Sequence, residues 1–198
     1  MRGIEHGSPT ALKSHVRSIL GVGIRRKSFF FISGSIISIP FTVYAKTLIY
    51  HLSTIMPIFN SRLFSTAIFT PFLEEFAKAY PLLYRKGDSE RSFFTQGLLV
   101  GIGFGIAELL IYILRFGVPV YIRLSGVLFH TLNTSITAYG IAKNRPWLYL
   151  IAVTLHLLNN LSAIYGLIWL VAEFPLLLAT FSITCYLYMK ASPVNLID

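Results

Sequence analysis

Six apolar runs, each about 20 residues long, follow one another along this chain at positions 29–50, 63–84, 93–114, 118–142, 147–168 and 171–189. A helix needs about that many residues to cross the hydrocarbon core of a bilayer. In lipid every backbone N–H and C=O must be satisfied internally, which leaves helices or a closed barrel. The runs lack strict two-residue alternation, so helices are expected. Short polar or Pro/Gly-bearing breaks separate them: "HLSTIMPIFNSR", "RKGDSERS", "RFG" and "KNRP", with the softest boundary near "WLVAEFP". The expected fold is therefore all-α, a polytopic membrane bundle of about six transmembrane helices. One domain spans 28–190, between a basic arm at 1–27 and a tail at 191–198.

Composition agrees with lipid as the solvent. Of 198 residues, 55% are hydrophobic and 13% charged, whereas a soluble domain carries roughly a quarter charged residues.

Lys and Arg set the expected orientation. Arg2, Lys13, Arg17, Arg25, Arg26, Lys27, Arg85, Lys86, Arg91, Lys143, Arg145 and Lys190 fall on one side, and Arg62, Arg115 and Arg123 on the other. Twelve against three places both termini in the cytoplasm. Charges beside spans explain the net charge of +9 as a topology signal and a contact for anionic lipid, so no nucleic-acid partner is expected. The basic segment and long first run read as a retained signal anchor rather than a cleaved leader. Residues 10–21, "TALKSHVRSILG", have the spacing of a short amphipathic surface helix, with a disordered arm as the alternative. The single cysteine, Cys185, is a packing residue.

Against that background, ionisable groups inside the runs stand out. They are costly in the bilayer and usually face a bundle interior or a cavity. Glu74, Glu75, Glu108, His130 and His156 are such groups, spread over runs two to five. Counted from the cytoplasmic ends at 1.5 Å per residue, Glu74, Glu108, His130 and His156 lie about 14 to 22 Å deep, in one slab. Pro71 would free the Ala67 carbonyl and kink its helix, and Lys78 is spaced to pair with either glutamate. Gly97, Gly101 and Gly105 form a smooth face for close helix approach. A structural reading remains for each polar residue, since His and Asn also serve as interhelical glue. A proton-coupled transporter or a scaffold is the rival function. The repeat symmetry expected of a transporter is not apparent in six uneven spans.

In order on successive helices, "EEFAK" fits an EExxK motif, "FGIAE" FxxxE, "HTLNT" HxxxT and "HLLNN" HxxxN. Over about residues 70–160 the chain resembles the PrsW-type branch of the CAAX-protease and bacteriocin-processing superfamily of intramembrane proteases. The resemblance implies a hydrolase of the cell membrane of a prokaryote, cutting membrane-anchored proteins or peptides, with anti-sigma factors as an example of the substrate class. CAAX prenyl endopeptidases have EExxxR and FxxxH instead, so prenyl-protein processing is not carried over.

The residue types suit amide hydrolysis, which needs an activated water, an oxyanion donor and a proton for the leaving amine. Two histidines and a carboxylate make a zinc site with an open position, read as Glu108, His130 and His156. Glu74 is then the general base, ahead of its neighbour Glu75, and Asn160 donates to the oxyanion. A metal-free version, in which Glu74 activates water directly, stays open beside it. The sequence leaves oligomeric state undefined.

Overall fold

Ser89 and Gly117 bracket the longest helix. The Ser89 hydroxyl accepts from the Ser92 N–H at 3.2 Å, capping Glu90–Phe116 at its start. Gly117 ends it at φ 64°, a left-handed conformation strained for residues with a Cβ, and its N–H donates to the Ile113 carbonyl at 3.1 Å.

The computed structural model describes residues 23–55, 63–84, 89–164 and 168–193. Six helices occupy them. Helix α1 covers 23–55, with a π-helical turn at Gly34–Ser38 before Ile39–Ile55. Helix α2 joins a π-helical stretch, Leu63–Phe69, to Thr70–Leu83. Helices α3 (Glu90–Phe116), α4 (Val120–Ala142), α5 (Trp147–Ile164) and α6 (Ile168–Lys190) follow. No strand occurs among the described residues. Each apolar run thus coincides with one helix. The amphipathic stretch expected at 10–21, most of the basic arm and residues 194–198 lie outside the described residues.

Among the described residues, three stretches are long and apolar enough to cross a membrane: Glu90–Phe116, Trp147–Ile164 and Val171–Lys190. The sequence led us to expect six. Two of the remaining helices, α2 and α4, are the ones diluted by the polar groups that converge below.

Glycines hold α3 against α4. A methyl group at Gly97 would overlap the Ser135 backbone, at Gly101 the His130 carbonyl and at Gly105 the Val127 backbone. The smooth face read from the sequence is therefore a seam of direct backbone contact, and it fixes where His130 sits. On the other side of α3, Ser35 Oγ donates to the Gly103 carbonyl at 3.0 Å and ties α1 on. At the start of α3, Glu90 gathers two other chain segments. Lys143 Nζ donates to it at 2.6 Å, and the Ser192 N–H at 3.0 Å.

The irregularity expected one turn before Pro71 is a π-helical stretch, Leu63–Phe69, which contains Ala67 and ends just before Thr70. The helix continues unbroken through Pro71, whose missing N–H removes one donor from it.

Candidate active site between α2, α3, α4 and α5

Adjacent positions on a helix point about 100° apart, so Glu74 and Glu75 on α2 meet different surroundings. Glu75 is fully buried. Its Oε1 accepts from Lys78 Nζ at 2.5 Å and from His156 Nδ1 at 2.8 Å. Glu74 instead lines a cavity, with Oε2 3.5 Å from His156 Nε2, longer than a good hydrogen bond. When neutral His156 gives its Nδ1 proton to Glu75, its Nε2 is an acceptor. Two acceptor atoms then face each other, an arrangement completed by a proton donor or a cation between them.

Lys78 continues the network across to α4. Its Nζ lies 3.0 Å from His130 Nδ1 and 4.6 Å from the centre of the Phe104 ring. His130 Nε2 is 2.9 Å from Glu108 Oε2, and the same oxygen is 3.2 Å from Arg123. Arg123 in turn lies over the Tyr112 ring at 3.8 Å. One chain of contacts therefore runs Arg123–Glu108–His130–Lys78–Glu75–His156–Glu74 through four helices. A lone buried charge is strongly disfavoured. Here three carboxylates share two cations and two imidazoles.

The cavity measures about 390 Å³, and its wall includes Glu74, Glu108, Arg123, His130, His156, Asn159, Asn160 and Glu173. Glu75 and Lys78 stand behind this wall. Asn160 sits on it while donating Nδ2 to the Thr66 carbonyl at 2.9 Å, which ties α5 to the π-helical part of α2. On α4, Thr134 Oγ1 donates to the His130 carbonyl at 2.8 Å and Asn133 Nδ2 to the Ala152 carbonyl at 2.9 Å. Both brace the helix that carries His130.

Glu74, His130 and His156 each offer a donor atom, all three within 4.8 Å of one another and buried. Ligands about 2.0–2.2 Å from a tetrahedral ion are themselves roughly 3.3 Å apart. Donor atoms within 4.8 Å of one another are near that spacing, and one carboxylate with two imidazoles is a donor set that zinc accepts. The sequence suggested Glu108 as the carboxylate of this set. The geometry draws Glu74 into the compact group, with Glu108 between His130 and Arg123.

The sequence profile of the PrsW family, described as intramembrane metalloproteases, matches residues 25–187, which include every side chain in this network. The chain belongs to the PrsW family. No curated protein and no solved structure matches it. Family membership and the three long apolar helices make it an integral membrane protein. They also agree with the metal-binding donor set.

Some of the cavity wall escaped the sequence reading. Arg123 counted only as a charge beside a span. Its position seven residues before His130, two helical turns away on the same face, was a usable signal. Glu173, an acid inside the sixth apolar run, carried the same signal as the other acids and was passed over; Tyr112 gave none.

Proposed function

We propose that this PrsW-family protein is an intramembrane endopeptidase, cutting membrane-anchored proteins or peptides by attack of a water activated in the α2–α5 cavity. The observation that carries the reading is the convergence of Glu74, His130 and His156 on that cavity. Glu74, His130 and His156 would hold a metal ion such as zinc, which when bound polarises the scissile carbonyl and makes water more acidic. Of the two other carboxylates on the wall, Glu108 and Glu173, Glu108, which touches His130, takes the proton of the attacking water. This reverses the roles read from sequence, where Glu74 was the base and Glu108 the ligand. Glu75 orients His156 from behind, as outer carboxylates do for ligating imidazoles. Asn159 and Asn160 line the path on which the peptide carbonyl is held. In the same proposal all six helices cross the membrane, with both termini in the cytoplasm. The motif order supports placing the family in the wider CAAX-protease superfamily, and the membrane is the cell membrane of a prokaryote.

The test is purified protein with a library of quenched transmembrane peptides and parallel metal analysis. Wild type should cleave and carry close to one equivalent of metal. Glu74→Gln should lose both metal and cleavage, and Glu108→Gln cleavage alone. The opposite pattern, metal kept in Glu74→Gln and lost in Glu108→Gln, returns the roles to those read from sequence. A folded wild type that cleaves no peptide rejects the peptidase reading in favour of a scaffold or transporter.

A further inference from the structure

Lys78 is fully buried, and the chemistry proposed above gives it no task. An ammonium donates hydrogen bonds and never accepts them. Its 3.0 Å approach to His130 Nδ1 therefore makes Nδ1 the acceptor nitrogen. Neutral His130 then carries its proton on Nε2 and donates it to Glu108 Oε2 at 2.9 Å. The same ammonium donates to Glu75 Oε1, and that oxygen also accepts from His156 Nδ1. The carboxylate imposes the opposite tautomer on His156, with the proton on Nδ1 and a bare Nε2 turned towards Glu74. Both tautomers follow from the identity of the hydrogen-bonding partners. One cation thus stands behind two imidazoles and makes them unlike: His130 offers the cavity an N–H, and His156 offers it a lone pair.

We propose that Lys78 is a positioning residue that holds His130 in the Nε2–H form, in which the ring is a hydrogen-bond donor and not a metal ligand. His130 joins a donor set only after Lys78 releases Nδ1. The ring proton then resides on Nδ1, the Nε2 lone pair is freed, and Lys78 turns wholly to Glu75. The inference rests on His130 being a ligand in the reading above, and it holds whichever carboxylate completes the set. Lys78 accordingly weakens metal binding while keeping the His130 N–H on Glu108.

Two measurements test this on the full chain in lipid nanodiscs, at one fixed, mildly alkaline pH. Nitrogen-15 NMR of metal-free wild type should show a protonated Nε2 and an unprotonated Nδ1 for His130, and the reverse for His156. Lys78→Met removes the ammonium and keeps Glu75 as the acceptor of His156 Nδ1–H. Titrated with zinc alone, it should bind roughly tenfold or more tightly than wild type, a change within the range that outer-shell partners exert on metal affinity. A wild-type His130 protonated on Nδ1, or a folded Lys78→Met with zinc affinity equal to or below that of wild type, overturns the proposal. The NMR measurement needs neither a variant nor turnover. A protein that cleaves nothing still reports its tautomers, so the two proposals fail separately.

Discussion

The two sides of the cavity are built differently. His130 and Glu108 stand on the α3–α4 seam, where Gly97, Gly101 and Gly105 put backbone against backbone. Glu74 and His156 stand on the α2–α5 side, which is joined by side chains: His156 with Glu75, Asn160 with the Thr66 carbonyl, and Tyr149 Oη donating to the Phe72 carbonyl at 2.9 Å. A seam of glycines has no rotamers to change, and native packing tolerates little extra volume. A side formed by hydrogen-bonded side chains can open by a few rotations. Any adjustment the site makes to a peptide or an ion therefore falls on α2 and α5, against a fixed α3–α4 reference.

The largest expected effect tests whether both sides are needed at all. His130→Ala on the fixed side and His156→Ala on the adjustable side should each lower peptide cleavage by about 10²-fold or more, with helical content by circular dichroism unchanged. Full activity in either variant would remove that side from the chemistry. Next comes the seam. Gly101→Ala forces a methyl group onto the His130 carbonyl and should destabilise the protein by about 1–3 kcal/mol, read as a lowered Tm with a parallel fall in activity. An unchanged Tm would mean that the seam can part, and the contrast between the two sides would be lost.

Asn160→Ala, the counterpart on the adjustable side, removes one hydrogen bond and should cost about 1 kcal/mol. Tyr149→Phe should cost no more than that. If Asn160→Ala destabilises as much as Gly101→Ala, the α2–α5 side is as rigid as the seam.

The smallest effect lies away from both sides, where the Glu90 carboxylate holds the Lys143 ammonium above the usual lysine range. A raised folded-state value means that this stabilisation is complete below the ordinary lysine pKa and is lost as pH rises through the raised one. Wild type should thus lose a little Tm from about pH 10 upward that Lys143→Met does not lose. Coincident alkaline profiles would show that the pair contributes nothing.

How much of this could be read in advance depended on the range of each interaction. The helices were legible because twenty-residue apolar runs leave few alternatives in lipid, and the glycine seam because its spacing repeats on one face. The different roles of Glu74 and Glu75 followed from the 100° step between neighbours, although which of them Lys78 would choose did not. Illegible were the contacts that fold alone brings together. Lys78 meets His130 from 52 residues away, and Asn160 meets Thr66 from 94. The π-helical stretch at Leu63–Phe69 was hidden for another reason. Its composition is that of any apolar helix, and the unusual hydrogen bonding answers to packing rather than to local propensity.

That stretch lets α2 carry a residue more than its length in turns requires. A π-helical turn spaces its hydrogen bonds one residue wider than an α-helical turn and ends at nearly the same angle, so residue count and angular position part company within Leu63–Phe69. Regaining regular α-geometry there at unchanged length would swing one end of the helix by about 100° relative to the other. Glu74 could then keep its place on the cavity only if the Thr66 carbonyl moved out from under Asn160. Deleting one residue of the stretch would instead let regular geometry return with both groups still in register, independently of which amino acids occupy it.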